Sequence, residues 1–138
     1  MLVSDVMATA IEFAAPDDTV QAAAVLMGEL DVGALPVGSA DDLQGVLTDR
    51  DVLFRVVAEG RDNGAVRVRE VMTRRVFTCS ADDTLSAAMD LMADYHVRRL
   101  AVTDGSVVVG WVTLSDISRK LLLEPGIVRD GLQQLTDR

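Results

Sequence analysis

The sequence predicts a mixed α/β protein built from two copies of one β-α-β-β-α unit. Three observations lead to this prediction. The chain of 138 residues matches itself at a constant offset of 65 residues, from Val3 to Val68. Each copy contains a segment in which apolar residues recur at helical spacing. Each copy then continues with two short apolar runs that are separated by turn residues, as in a hairpin.

The internal duplication appears when the chain is aligned with itself. The matched segments are "VSDVM" with "VREVM", "DDTVQAAAVLM" with "DDTLSAAMDLM", "VGALPV" with "VRRLAV" and "GVLTDRD" with "GWVTLSD". No gap is needed between residues 3–52 and their counterparts at 68–117. Four separate matches at one spacing are not expected by chance, so each half of the chain should fold in the same way.

Each copy is predicted to begin with a short element and a brief extended piece, at Ile11–Phe13 and at Val76–Thr78. A helix follows in each copy. Its candidate N-caps are Asp18 or Thr19 and Asp83 or Thr84. The apolar residues at helical spacing are Val20, Ala23, Ala24 and Met27 in the first copy, and Leu85, Ala88, Met89 and Met92 in the second. We expect these side chains to face the core.

A hairpin and a second helix complete each copy. The predicted strands are Leu35–Val37 and Leu43–Leu47, then Leu100–Val102 and Val107–Val112. Turn residues at Gly38–Asp42 and Thr103–Ser106 separate the strands of each pair. The second helices are expected to begin at Thr48 and at Thr113.

The predicted organisation is a first repeat at residues 1–59, a linker at 60–67, a second repeat at 68–122 and a tail at 123–138. One repeat alone buries too little apolar surface to be stable, so the two should share a core by packing their sheets together. In the tail, Val128, Leu132 and Leu135 predict a short closing helix after the break at Pro125–Gly126.

Composition and charge narrow the class of protein. Hydrophobic residues make up 49% of the chain, a share that leaves out its 10 Gly. This share is above that of an average globular domain, so we expect a surface buried in a homodimer. The formal net charge is −9, and no Lys or Arg precedes Arg50. Because an acidic half repels phosphate backbones, nucleic acid is not an expected partner.

Cysteine content and hydropathy predict the compartment. Cys79 is the only cysteine in the sequence, which rules out an intrachain disulfide and a cysteine metal cluster. No charged-then-apolar leader follows Met1, and no run approaches the roughly 18 apolar residues of a membrane span. The expectation is a soluble cytoplasmic protein with no membrane partner.

Two G-x-x-T-x-x-D motifs, Gly45–Asp51 and Gly110–Asp116, are the candidate sites. One interpretation is a capping box, in which the Thr hydroxyl and the Asp carboxylate each accept a hydrogen bond from the other residue's amide. The other is a ligand turn, in which the carboxylate binds sugar hydroxyls at the positive end of a helix. T-x-x-D alone favours the cap. The two interpretations are compatible, since a capped helix start leaves other amides free.

With these motifs in order and present twice, the chain resembles a tandem CBS domain pair, the regulatory module named after cystathionine β-synthase. The resemblance covers about residues 3–122. It is carried by the "DVM" and "EVM" openings, "DDT" before the first helix, "GALPV" and "RRLAV", and both G-x-x-T-x-x-D motifs. The chain is also similar to small stand-alone two-CBS proteins of actinobacteria, including the hypoxic-response type.

The resemblance implies a Bateman module, in which the sheets of the two repeats pack face to face and leave two clefts. Such clefts commonly bind AMP, ADP, ATP or S-adenosylmethionine. The Asp carboxylates would accept hydrogen bonds from ribose hydroxyls, and the Gly residues would let the backbone approach the ligand. The residues assigned in this way are Gly45, Thr48, Asp51, Gly110, Thr113 and Asp116, with Ile11, Leu35, Val76 and Ala101 around the adenine.

The two copies differ in one basic pair. Arg98 and Arg99 of the second copy replace Gly33 and Ala34 of the first. In CBS modules, Arg at these strand positions often reaches a ligand phosphate, for which its planar fork is suited. Strand alternation directs the two side chains to opposite faces, so one of them should face the cleft. Arg50 is a further candidate, although an ordinary surface Arg is an equally good interpretation there.

The sequence contains no recognisable catalytic device. His96 is the only histidine and has no supporting motif, and no phosphate-binding glycine loop is present. The expected function is a non-enzymatic regulatory module that senses an adenosine-containing ligand, requires no cofactor and signals to a separate, unidentified output protein. The alternative is a dimeric scaffold that binds no nucleotide. An enzyme is the third and weakest hypothesis.

Overall fold

The computed structural model describes residues 1–123, so the closing helix predicted around Val128 lies outside the described residues. The elements in chain order are a 3-10 turn at Val3–Asp5, α1 (Val20–Leu30), β1 (Ala34–Gly38), β2 (Leu43–Thr48), α2 (Asp49–Val52) continued by a π-helical turn (Leu53–Val57), α3 (Val68–Val71), β3 (Thr78–Ser80), α4 (Leu85–Tyr95), β4 (Arg99–Asp104), β5 (Val107–Thr113) and α5 (Leu114–Leu122). The mixed α/β class that the duplication predicts is confirmed.

Helices α1 and α4 begin at equivalent threonines. Thr19 Oγ1 accepts a hydrogen bond from the Ala22 amide, and Thr84 Oγ1 accepts one from the Ala87 amide, both at 3.1 Å. Of the two candidates in each copy, the threonine is therefore the N-cap. Both helices end at a residue in the left-handed region, Asp31 with φ 55° in the first copy.

The apolar stripe of each helix is narrower than predicted. The buried side chains lie at positions i, i+3 and i+7: Val20, Ala23 and Met27 in α1, and Leu85, Ala88 and Met92 in α4. Ala24 and Met89, the i+4 members, are exposed. The third apolar position of each copy, Ala24 and Met89, was therefore wrongly predicted to face the core.

The strands form two small sheets. Strands β1 and β2 form an antiparallel pair in which Leu35 lies opposite Leu47. The other sheet has the order β3-β4-β5, with β3 parallel to β4. The hairpin turns fall at the predicted places, with Ser39 and Asp42 exchanging backbone hydrogen bonds in the first copy.

The extended piece of the first copy is not a strand, contrary to the prediction for Ile11–Phe13. Only Ala14 forms a bridge, with Val37, whereas the second copy has strand β3 at Thr78–Ser80, slightly later than predicted. Pro36 supplies the physical reason. Its counterpart Ala101 donates its amide to the Phe77 carbonyl at 3.1 Å, and a proline has no amide to donate.

The described chain divides into two compact units that do not follow the repeat boundaries. One unit contains residues 1–9, 77–104 and 109 onward, and the other contains residues 10–76 and 105–108. The opening segment of each copy therefore packs within the unit that holds the hairpin of the other copy. Ala8 exchanges backbone hydrogen bonds with Trp111 at 2.8 and 2.9 Å, and Thr73 does so with Val46 at 2.8 and 2.9 Å.

Each unit has its own apolar core. The core of the unit at 10–76 consists of Ala14, Val20, Ala23, Met27, Leu35, Val37, Leu47, Val56, Val66, Val68, Val71 and Met72. The core of the other unit consists of Val3, Cys79, Leu85, Ala88, Met92, Leu100, Val102, Val112 and Ile117. Valine, leucine and alanine supply most of both cores, as the low aromatic content of 4% requires.

The thiol of Cys79 should be unreactive in the folded protein. It should also make the free energy of unfolding fall as the pH rises in the alkaline range. Burial, with a further contribution from the Asp83 carboxylate, raises the pKa of this thiol to about 11. A raised pKa means that the thiol holds its proton more tightly in the folded state than in the unfolded state, so the protonated thiol contributes to stability. The contribution is complete below the ordinary thiol pKa and is lost as the pH rises through about 9 to about 11, on the order of 2 kcal/mol in total.

Urea unfolding of the wild type and Cys79→Ala between pH 8 and pH 11 measures this effect, since other titrating groups cancel in the difference. We expect the free energy of unfolding to fall more steeply in the wild type. At pH 8, iodoacetamide should label Cys79 only after unfolding. Equal slopes for the two proteins would contradict the prediction.

Candidate functional site

The first T-x-x-D turn is a complete capping box. Thr48 Oγ1 accepts a hydrogen bond from the Asp51 amide at 3.0 Å, and Asp51 Oδ2 accepts one from the Thr48 amide, also at 3.0 Å. The capping interpretation is therefore confirmed for this copy. The reciprocal pairing fixes the direction in which α2 leaves β2.

The Asp51 carboxylate has further partners inside the unit at 10–76. Asp51 is 7% exposed, and it is the only buried charged residue of the described chain. The Thr73 hydroxyl donates to its carboxylate, with distances of 3.2 Å to Oδ1 and 3.3 Å to Oδ2. Arg55 Nη1 lies 3.8 Å from Asp51 Oδ1 and donates to the Val71 carbonyl at 2.8 Å. These contacts meet the need of a buried charge for polar partners.

The second T-x-x-D turn is more open. Thr113 Oγ1 accepts a hydrogen bond from the Asp116 amide at 3.1 Å, so the threonine caps α5 as well. The Asp116 side chain is 34% exposed. Within residues 1–123, its carboxylate has one partner, the exposed Arg119, at 3.7 Å. Such a surface pair contributes little free energy and can separate at small cost.

Neighbouring atoms pack so closely against the first residue of each motif that only glycine fits there. A Cβ atom at Gly45 would lie 2.7 Å from the Thr73 carbonyl oxygen and 3.0 Å from Met72 Sδ. At Gly110 it would collide with Met7 Sδ and lie 3.1 Å from the Ala8 carbonyl oxygen. The opening segments therefore approach both glycines closely. Contact with a ligand stays a prediction for both.

The basic pair lies next to the open turn. The Leu114 amide, first in α5, donates to the Arg98 carbonyl at 2.7 Å. Arg98, which precedes β4, is exposed, and Arg99, the first residue of β4, is partly exposed. That one of them faces a cleft stays a prediction. At the equivalent place in the first copy, the Asp49 amide donates to the Gly33 carbonyl at 2.9 Å, so an acidic residue takes the position of Leu114.

Arg50 and the four residues predicted to surround the adenine differ in their exposure and in their contacts. The Arg50 guanidinium lies over the Phe54 ring, 4.9 Å from its centroid, a contact that engages the charge locally. Leu35 and Ala101 are 1% and 0% exposed, so an adenine could not reach their side chains without displacing neighbours. Ile11 and Val76 are partly exposed, and their contact with an adenine stays a prediction.

Sequence reasoning missed Thr73 and Arg55, the residues that hold Asp51. A signal for Thr73 was present in the comparison of the two copies, because "VREVMT" has the counterpart "VSDVMA". The difference of one hydroxyl is visible in the alignment. The contact itself is not, since it depends on the opening segment of one copy packing with the hairpin of the other.

In residues 1–123, no group of three or more His, Cys, Asp and Glu side chains is arranged to hold a metal ion. Among the same residues, no helix has the length and apolar character needed to cross a membrane.

Comparison with protein families identifies the class. The model of the CBS domain matches residues 3–58 and again residues 68–123. The chain therefore belongs to the CBS domain family and contains a CBS pair, a regulatory module, as its repeated motifs predicted. The match covers both T-x-x-D turns.

Relatives and solved structures agree with this assignment. The chain is 40% identical over 116 residues to the CBS domain-containing protein YhcV of Bacillus subtilis, covering 84% of this chain and 82% of the relative. It is 34% identical over 118 residues to hypoxic response protein 1 of Mycobacterium tuberculosis, covering 85% and 82%. The predicted likeness to the hypoxic-response type is confirmed.

Two solved structures carry bound groups. A crystal structure of hypoxic response protein I with two coordinated zinc ions is 33% identical with a TM-score of 0.77, and the match covers 88% of this chain and 99% of that one. The CBS domain pair of protein MJ0100, in complex with 5′-methylthioadenosine and S-adenosyl-L-methionine, is 27% identical with a TM-score of 0.77, over 87% and 98%.

Proposed function

We propose that this CBS pair is a non-enzymatic sensor of an adenosine-containing ligand, namely AMP, ADP, ATP or S-adenosylmethionine, in signal transduction. The observation that carries the proposal is the partly exposed Asp116 carboxylate at a capped helix start, next to the Arg98–Arg99 pair. A structurally similar CBS pair in complex with two adenosine compounds supports it. No metal or other cofactor is required by the proposal.

The chemistry of the turn suits a nucleotide. Asp116 can accept hydrogen bonds from the two hydroxyls of a ribose, and an ionised acceptor makes these bonds stronger than neutral ones. The guanidinium of Arg98 or Arg99 can bind phosphate oxygens in a bidentate manner. Ligand binding would favour one arrangement of the pair over others, and a separate output protein would respond to that change. We place this signalling in the cytoplasm.

Asp116→Ala should weaken the affinity for AMP or ATP at least about tenfold, because two charge-assisted hydrogen bonds to the ribose are lost. Isothermal titration calorimetry with AMP, ADP, ATP and S-adenosylmethionine measures the effect. In a thermal-shift assay, a probe at 100 times its Kd should stabilise the wild type by about 2.7 kcal/mol.

Asp94→Ala is the matched control, since Asp94 is an exposed aspartate on α4. It removes the same charge from the same unit and should leave the Kd unchanged. An Asp116→Ala protein that binds as tightly as the wild type would exclude the turn as the ribose site. Turnover of a nucleotide by the purified protein would contradict the non-enzymatic role.

The second candidate function is a nucleotide-independent dimeric scaffold, and an apolar surface favours the dimer that it requires. Leu53, Phe54 and Val57 are 52%, 52% and 61% exposed on the π-helical turn that follows α2. Clustered apolar side chains at a surface are typical of a protein interface. We propose that a second copy of the chain covers them, in a homodimer that both candidate functions share.

Phe54→Glu should convert the dimer to a monomer in sedimentation velocity, because it places a charge in a desolvated interface. Ser39→Glu, at an exposed site in the β1–β2 turn, adds the same charge elsewhere and should leave the dimer intact. A wild-type protein that sediments as a monomer would overturn the homodimer. A dimer that binds none of the four probes would favour the scaffold over the sensor.

A further inference from the structure

The two T-x-x-D turns differ in how their carboxylates are engaged. Asp51 is 7% exposed and bonded to the Thr48 amide and the Thr73 hydroxyl. The Asp116 side chain is 34% exposed and, within residues 1–123, contacts only the exposed Arg119. A ribose could therefore reach Asp116 directly, whereas at Asp51 it would have to replace hydrogen bonds that the folded chain already makes.

A hydroxyl that is present at only one of two equivalent positions contributes to the difference. Thr73 and Ala8 are counterparts in the duplication. Thr73 pairs with Val46 and Ala8 pairs with Trp111 through the same two backbone hydrogen bonds, with lengths of 2.8 and 2.9 Å in both cases. The backbone therefore presents each side chain in the same way, and only the first copy supplies a hydroxyl donor from this position to its aspartate.

Charged side chains beside the two turns also distinguish them. Beside the first turn, the Asp49 side chain covers Gly33, with its Oδ2 atom 3.1 Å from where a Cβ atom would lie. Beside the second turn, the equivalent positions are Leu114 and Arg98. The first turn thus has an acidic side chain where the second has a basic one, which favours the second of the two for an anionic ligand.

We infer that Thr73 and Arg55 hold Asp51 as a structural anchor of the unit at 10–76, so that only the Thr113–Asp116 turn binds ligand, with one adenosine compound per chain. The ligand part of this inference rests on the proposed function. The anchor part does not, because it concerns hydrogen bonds within the folded chain.

Calorimetric titration with AMP, ATP and S-adenosylmethionine tests the ligand part. We expect one site per chain, a Kd that Asp51→Asn changes less than about twofold, and a loss of at least about tenfold in Asp116→Ala. Ala8→Thr should copy the anchor onto Asp116 and weaken binding about fivefold or more. Ala8→Val has the same shape without the hydroxyl and should bind as the wild type does. Two sites per chain, or an Asp51→Asn protein that loses binding, would overturn the inference.

Thermal unfolding without ligand tests the anchor part. Thr73→Val should lower the Tm by about 3 °C in the wild-type background and by less than about 1 °C in the Asp51→Ala background. Equal effects in both backgrounds would overturn the anchor. If none of the probes binds while the two backgrounds still differ, the proposed function fails and the anchor stands, so the two failures are distinguishable.

Discussion

Gly38→Ala should destabilise this protein by about 3 kcal/mol or more. Gly38 ends β1 with φ at 116°, a conformation that residues with a Cβ atom rarely adopt. A Cβ atom there would also collide with the carbonyl oxygen of Asp42, a backbone atom on the other side of the hairpin turn. The turn cannot open without breaking the hydrogen bond from the Ser39 amide to that same oxygen, 3.0 Å long.

Substitutions at two other glycines allow the cost of backbone strain to be measured separately from the cost of the steric collision. Gly105 has φ at 64° with open space where a Cβ atom would lie, so Gly105→Ala should cost only about 1 kcal/mol of backbone strain. Gly28 lies within α1 with nothing near its missing Cβ, so Gly28→Ala should stabilise by about 0.5–1 kcal/mol. Urea unfolding of the three variants gives the comparison. A Gly38→Ala protein no less stable than Gly105→Ala would show that the turn avoids the collision.

Local features of the fold were predictable because they depend on residues close together in sequence. The N-cap at Thr19 and the stripe at Val20, Ala23 and Met27 lie within one helix, and its period is visible in the sequence. The hairpins follow for the same reason, since two apolar runs with turn residues between them favour pairing. The absence of a strand at Ile11–Phe13 was also predictable, because Pro36 has no amide N–H to donate to a neighbouring strand.

The candidate site was predictable only in part. That Thr48 and Asp51 cap a helix follows from their spacing of three, and the structure confirms it. That Asp51 is buried and bonded to Thr73 does not follow, because 22 residues separate them and the contact depends on long-range packing. Sequence spacing identifies which residues share a turn, whereas exposure to a ligand is decided by segments that arrive from elsewhere in the chain.

Gly45→Ala should destabilise the protein by about 2 kcal/mol, more than Gly110→Ala does at the equivalent position. At Gly45, the new methyl group would meet the Thr73 carbonyl oxygen at 2.7 Å. That oxygen accepts the Val46 amide at 2.9 Å, so it cannot retreat without losing the bridge between β2 and the opening segment of the second repeat. The loss would also move the Thr73 hydroxyl away from Asp51.

At Gly110 the obstacles are the Sδ and Cγ atoms of Met7, which belong to a flexible side chain, and the backbone oxygen of Ala8 is 3.1 Å away. Methionine can change rotamer at little cost, so Gly110→Ala should lose only about 1 kcal/mol. Urea unfolding of both variants measures the difference. The two glycines occupy the same position of the same motif. If glycine were required there only for contact with a ligand, the two variants should be equally stable in the absence of ligand. Equal losses would therefore count against the opening segments as the reason for glycine at these positions, and a larger loss at Gly45 would support it.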